Sequence, residues 1–407
     1  MRIFTNSFFN FIVIGFAFTL CIICGCSSEE APDDNNTIKE PVDETVLATL
    51  ITKEPENLAA YSATIWGQVT DDGGSSIIER GVCFGLETKP NYEGTKTIAS
   101  TVKGSGDFEV NLSNLAEGNV YYARSYAKNG KGIAYGNEIS FTTTFADPPI
   151  FSIGEKRVSG AHDIFIGIRL EEPGDTELKE LGVVYGLEQN PTLEDNVIKR
   201  ENLDASFTER IRDLKENTFY FIRPYTKTSK RVVYGDAVLV KTITKGKFTY
   251  SFNGFDAANE NHVRIKEAFD TATQYYNNFT SITKHVVVNY SPGTPTADAN
   301  FAGNIRVGSN AGYQRTGTAM HEMAHTVGVG QHWKWNELIR GGIYQGAEAN
   351  AILKMMTNDP NATVKGDGVH FWPYGVNGAH EDNGKEMTYI IHALLIQGMK
   401  IDGLPSN

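Results

Sequence analysis

The chain has 407 residues, which at roughly 100 to 200 residues per domain allows several domains with buried cores. Hydrophobic residues make up 40%, charged residues 21% and aromatic residues 11%, the profile of a folded protein rather than a disordered or collagen-like one. With 37 basic against 49 acidic side chains the formal charge is −12, so no general attraction to nucleic acid or to an anionic membrane surface is available.

The mean hydropathy of −0.30 excludes a protein of many membrane spans, and one long apolar run exists, from Phe8 to Ile23. Arg2, the polar Asn6 and Ser7, and that apolar core follow the order of a secretory signal over residues 1–25. A membrane-spanning anchor helix is the alternative. The run ends in Ile23-Cys24-Gly25-Cys26, which resembles the lipobox of bacterial lipoproteins. The resemblance implies that Cys26 is acylated and becomes the mature N-terminus, so that acyl chains rather than a helix hold the protein to the membrane. Residues 26–45 include Ser27, Ser28, Glu29, Glu30, Asp33, Asp34, Asp43 and Glu44 and read as an acidic tether. Serines and acids directly after an acylated Cys are similar to the surface-export signal of some Gram-negative lipoproteins, which implies display on the bacterial outer membrane. Of the four cysteines, Cys83 alone lies in the body of the mature chain. No disulfide can form there, and Cys83 reads as a small buried hydrophobe.

Residues 46–145 and 146–245 read as two copies of one unit. Glu79-Arg80-Gly81-Val82-Cys83-Phe84-Gly85-Leu86-Glu87 and Pro90 match Glu180-Leu181-Gly182-Val183-Val184-Tyr185-Gly186-Leu187-Glu188 and Pro191. Farther on, Tyr121 to Tyr126 matches Tyr220 to Tyr225, and Tyr135-Gly136 matches Tyr234-Gly235. Alternation with period two, bounded by Gly, Asn and Pro, predicts half-buried antiparallel strands. About seven short strands in about 100 residues, with a late Tyr-x-Arg-x-Tyr strand, resemble the fibronectin type III sandwich. Neither copy holds a cluster of His, Cys or paired carboxylates, so both read as spacers or weak binding modules.

From residue 246 to 407 the pattern changes to alternating helices and strands, giving a multidomain protein of two all-β sandwiches and an α+β C-terminal domain. Ile265, Ala268, Phe269, Ala272 and Tyr276 recur at helical spacing, His285 to Tyr290 and Asn304 to Gly308 predict strands, and a helix is predicted from about Thr316 to Val327. That helix carries His321-Glu322-Met323-Ala324-His325. Side chains at i and i+4 share one helix face, so both imidazoles can reach one ion, and Glu322 beside them can take a proton from a water that the ion activates. Met320, Ala324 and Val327 give the helix an apolar side to bury.

The HExxH pattern resembles the zincin metallopeptidases. The resemblance implies a Zn2+ cofactor, His321 and His325 as ligands and Glu322 as general base. Gly328 lies where metzincins turn toward a third ligand, but the expected position holds Gln331, with His332 one residue late, and Met387 belongs to a helical stripe with Ile390, Ile391, Leu394 and Leu395 rather than to a Met-turn. A catalytic zinc takes three protein ligands. Two candidates stand open for the third: His332, if Gly328 and Gly330 bend the chain back, and His370, delivered from downstream in His370-Phe371-Trp372-Pro373-Tyr374-Gly375. Tyr374 is a candidate donor to the oxyanion of the tetrahedral intermediate. Trp333, Trp335 and Trp372 line either the cleft or the core, and His262, His285, His380 and His392 read as surface or structural residues. The resulting expectation is a monomeric, surface-anchored zinc endopeptidase acting on protein or glycoprotein, with no nucleic-acid partner. The alternatives are a surface adhesin or glycan-binding lipoprotein that has lost catalysis, and a structural metal site.

Overall fold

Strands Thr49–Thr52 (β1), Ser62–Asp71 (β2), Glu79–Gly85 (β3), Lys96–Ile98 (β4), Gly106–Ser113 (β5), Val120–Asn129 (β6), Gly132–Tyr135 (β7) and Ile139–Thr142 (β8) build the first module. This is a computed structural model, and it describes residues 45–99 and 104–406. The expected signal sequence 1–25, Cys26 and the expected tether up to residue 44 lie outside those residues. The pleat sorts side chains by face: in β5, Phe108, Val110 and Leu112 are buried while Glu109 and Asn111 are exposed. β1, β2 and β5 form one antiparallel sheet, and β4, β3, β6, β7 and β8 form the other. Ile65 and Leu112 from the first meet Val82 and Ala123 from the second in one core, so the module is a β-sandwich.

The second module repeats this plan with Ile150–Ser159 (β9), Ile164–Glu172 (β10), Leu178–Gly186 (β11), Asn196–Lys199 (β12), Ser206–Ile211 (β13), Phe219–Thr228 (β14), Val232–Tyr234 (β15) and Val238–Lys241 (β16). Its sheets are β13-β10-β9 and β12-β11-β14-β15, with β16 on β14. The repeated residues make repeated contacts. Tyr126 Oη donates to Glu79 Oε1 at 2.6 Å and Tyr225 Oη donates to Glu180 Oε1 at 2.8 Å. The Ala116 amide donates to Tyr121 Oη and the Lys215 amide to Tyr220 Oη, a tyrosine corner in each copy. Cys83 is buried with no disulfide, and burial pushes its thiol up to about 11.

The C-terminal unit begins with Lys247–Asn253 (β17), followed by helix Glu260–Phe279 (α1) and Thr283–Tyr290 (β18), which pairs parallel to β17. The α1 stripe Ile265, Ala268, Phe269, Ala272 and Tyr276 is buried, as its spacing predicts. Ala297–Ala299 (β19) pairs antiparallel with Asn304–Val307 (β20), giving the order β17-β18-β20-β19 with β19 at the edge. Thr316–Thr326 (α2) carries the HExxH residues. Trp333–Leu338 (α3), Ile339–Arg340 (β21), Ile343–Tyr344 (β22), Ala347–Thr357 (α4), Lys365–Gly366 (β23), Phe371–Trp372 (β24), Gly378–Glu381 (α5) and Glu386–Ile401 (α6) complete the chain. In α6, Ile390, Ile391, Leu394 and Leu395 are buried, but Met387 in the first turn is 40% exposed and leaves the stripe.

The second module is more than a spacer. Its Val158 and Phe165 belong to the buried core of the C-terminal unit, and the Phe165 ring lies 6.4 Å from that of Phe279. Arg210 pairs with Glu386 at 3.0 Å, Lys156 pairs with Glu348, and the Ala161 amide donates to the Asn278 carbonyl. The modules themselves are joined by Arg231, which pairs with Glu117 at 3.0 Å.

Candidate metal centre

All residues of α2 from Gly317 to Thr326 are buried, so this helix is held by packing rather than by propensity. Arg315, at its N-cap, makes no side-chain cap bond. Asp382 supplies one from the far end of the chain: its Oδ2 accepts from the Gly317 amide at 3.0 Å and from Arg315 Nε at 3.2 Å. An anion at a helix N-terminus faces the positive end of the macrodipole. A Cβ on Gly317 would lie 2.8 Å from the Asp382 carboxyl carbon, so this cap requires glycine. At the other end Gly328 and Gly330 adopt φ of 106° and 64°, and the helix stops.

That turn does not deliver His332. His332 instead caps α3, its Nδ1 accepting from the Lys334 amide at 3.2 Å, with its ring against Phe301 and Trp333. The turn serves the other candidate. A Cβ on Gly330 would lie 2.1 Å from the Val369 carbonyl oxygen, so the glycine lets the chain after α2 nest against the β23–β24 hairpin, whose tip carries His370. Asp367 Oδ1 accepts from the Val369 and His370 amides and shapes that tip. Ring centroids lie 4.8 Å apart for His321 and His325, 5.2 Å for His321 and His370, and 5.7 Å for His325 and His370. One ligand atom from each lies within 4.8 Å of the others.

Hydrogen bonds orient two of the rings. His321 Nδ1 stands 2.7 Å from the Gly375 carbonyl and His325 Nδ1 stands 2.8 Å from the Val329 carbonyl. A carbonyl only accepts, so each Nδ1 carries the proton and each Nε2 keeps a free lone pair. Burial, reinforced by His325, pushes His321 down to about 3, and burial likewise lowers His325. Both rings are therefore neutral, the form that ligates a metal. Between them Glu322 is 2% exposed. Its Oε2 is buried without a partner, and burial, with Asp298 nearby, raises its carboxyl to about 8.

Beside the imidazoles opens a cleft of about 650 Å³ lined by Tyr313, Trp372, Tyr374 and His380 as well as His321 and His370, within the roughly 300–1,000 Å³ typical of ligand sites. The candidate Tyr374 thus stands at the site. It holds φ of 69°, a conformation that a bulky residue keeps only when its surroundings fix it. The tryptophans divide: Trp372 lines the cleft, Trp335 is fully buried, and Trp333 is 65% exposed. His380, read as a surface or structural residue, is a wall of the cleft, and Tyr313 was missed. No short-range pattern marks either one, because the single 3-10 turn Ala311–Tyr313 and the short helix α5 are aligned with the cleft only by the tertiary fold.

No family model matches the chain, and no curated protein matches it. Solved structures similar to parts of it include the FN1-FN3 domains of chicken CNTN1, with 13% identity over 49% of this chain and 69% of that one, TM-score 0.21. The sensor domain of the anti-sigma factor RsgI4 from Pseudobacteroides cellulosolvens is 17% identical over 24% of this chain and 96% of that one, TM-score 0.20. A myokine structure is 16% identical over 25% of this chain and 100% of that one, TM-score 0.20. With scores this low, the β-sandwich assignment stands on the chain's own strand order and paired tyrosine corners.

Proposed function

We propose that the chain is a zinc-dependent endopeptidase whose zincin-like domain is carried on two fibronectin type III-like modules. The observation that carries this is the convergence of His321, His325 and His370 around one point beside a buried carboxylate oxygen with no partner. Three imidazole donors suit zinc. The orphaned Glu322 oxygen supports a catalytic rather than a structural site, since a buried polar atom without a partner costs stability unless the working state supplies one. A non-catalytic adhesin has no use for it.

A zinc ion held by these residues supplies a Lewis acid that polarises a carbonyl and lowers the pKa of water. His321 and His325 would hold the ion through Nε2, because the Gly375 and Val329 carbonyls hold their Nδ1 protons. Glu322 Oε2 receives a proton from the attacking water and returns it to the leaving amine, and a carboxyl raised toward neutrality works in both directions. Tyr374, which lines the cleft, would donate to the developing oxyanion, while Trp372 and Tyr313 would orient substrate along it. Acylation at Cys26 and display on the outer membrane complete the proposal, with protein or glycoprotein as substrate. Among the described residues, no helix is long and apolar enough to cross a membrane.

Purified protein is expected to hold about one zinc per chain and to cleave casein or mucin, with the Glu322→Gln variant inactive. Equal cleavage by the variant removes the peptidase reading.

A further inference from the structure

Among the buried titratable groups, His392 on α6 has no part in the chemistry above. It is fully buried, and its contacts lead to the metal ligands from two directions. Its Nδ1 donates to the Tyr374 carbonyl at 2.7 Å, and the next carbonyl along the chain, that of Gly375, accepts from His321 Nδ1. On its other side Nε2 lies 3.2 Å from Tyr276 Oη. That hydroxyl donates its one proton to the Met320 carbonyl at 3.0 Å, one residue before His321, so it meets the unprotonated Nε2 as a packing contact and not as a second hydrogen bond. The Phe371 ring, adjacent in sequence to His370, lies 5.4 Å from the His392 ring.

These contacts close a circuit. It runs from the His321 ring to the Gly375 carbonyl, through the peptide to Tyr374, across His392 and Tyr276, into the α2 backbone at Met320, and back to His321. Resting on the zinc reading above, we infer that His392 is a positioning residue, which locks the segment bearing His370 and Tyr374 to the helix bearing the other two ligands. Two features make a dedicated brace necessary. His370 is on a hairpin tip with its side chain 47% exposed, so packing alone does not fix it. Tyr374 is held at φ of 69°, and the bond from His392 to its carbonyl is a direct restraint on that backbone. Site groups must hold their geometry to within about 0.5 Å, and their outer partners set it. His392 touches neither metal nor substrate, so its effect reaches the site only through Tyr374, Phe371 and Tyr276.

The test measures zinc affinity directly, by competition with a chromophoric chelator, together with thermal unfolding of the metal-free protein. Asparagine can place an N–H near the position of Nδ1, whereas leucine fills the space without a donor. We expect His392→Leu to lower zinc affinity about tenfold or more, in the range of lost outer-shell partners, and His392→Asn to stay within about threefold of wild type by the same measure. Tyr276→Phe opens the circuit elsewhere with little loss of volume, and it serves if His392→Leu does not fold. It is expected to weaken zinc binding and raise KM for a peptide less than it lowers kcat. A purely structural role would lower unfolding temperature and leave zinc affinity unchanged. That result in either folded variant, or an asparagine variant no better than leucine, overturns the inference. A wild type that binds no zinc overturns the peptidase reading itself and this inference with it.

Discussion

Substituting His370 and His332 in parallel separates the two routes to a third ligand, because the structure gives them opposite consequences. His370 is exposed at a hairpin tip, and removing an exposed side chain of this kind changes folding stability by no more than about 0.5 kcal/mol. It also removes one of three converging ligand atoms. His370→Ala should therefore leave the metal-free protein intact while zinc affinity falls by more than the roughly 10- to 100-fold of an outer-shell loss, or more than about 1.4–2.7 kcal/mol. His332 stands at the N-cap of α3, where it accepts from the Lys334 amide at 3.2 Å. Losing a helix cap costs about 0.5–2 kcal/mol, and a bond this long places His332→Ala at the lower end. Zinc affinity should hold. Denaturant unfolding of the metal-free variants and chelator competition for zinc give the two readings separately. A His332→Ala variant that loses zinc as severely as His370→Ala would refute the assignment.

Glu322→Gln should retain zinc and lose peptidase activity. In the metal-free state the Glu322 carboxyl is raised to about 8, above its unfolded value of about 4.3. Its contribution is therefore complete below the unfolded value and lost as pH rises through the folded one. The metal-free glutamine variant should consequently exceed wild type in stability at pH 9, on the order of a few kcal/mol, and equal unfolding midpoints there would contradict the burial argument. Phe165→Ala in the second module should cost about 3–5 kcal/mol and shift unfolding of the C-terminal unit as well, because Phe165 packs against Phe279. Circular dichroism and zinc release followed in one titration would reveal any separate transition, which would restore the spacer reading. Burial alone would raise Asp382, but the Tyr389 hydroxyl, the Gly384 and Gly317 amides and Arg315 hold it below the usual carboxylate range. Its stabilisation is present above the unfolded value of about 3.9 and lost as pH falls through the lower folded one. Asp382→Asn should therefore be least stable relative to wild type at neutral pH, with the gap narrowing in acid.

The parts of the fold governed by local periodicity were legible in the sequence. The α1 stripe, the strand ending at Tyr290 and the helix holding His321, Glu322 and His325 depend on spacing along one element, and the structure places them within a few residues of expectation. The sandwich repeats were legible because corresponding residues recur, down to the Glu79–Tyr126 and Glu180–Tyr225 bonds. What sequence left open depends on long-range closure. The choice between His332 and His370 turns on Gly330 packing against Val369, a contact across 39 residues that no pattern encodes. The role of the second module turns on Phe165 being buried against another domain, which a strand pattern cannot distinguish from burial within its own sandwich.

The site also explains why its supports come from so far along the chain. A helix presenting one face to a metal gathers, without the metal, two buried imidazoles and a carboxylate oxygen that has no partner. A buried unpaired group of that kind costs about 1–3 kcal/mol. A ligand that binds the folded state alone adds about 4.1 kcal/mol at a thousandfold its dissociation constant, which exceeds the cost of one such group. The metal-free protein must nevertheless hold the geometry by other means. Residues near the motif cannot do this alone, since α2 ends at Thr326 and, of the two bonds that orient its imidazoles, only that from His325 to Val329 is local. Asp382 therefore anchors its first turn, Tyr276 reaches the carbonyl of Met320, and Val369 bears on the turn that follows. Each comes from a different element, so the rigidity of the site is a property of the folded domain and not of the HExxH helix.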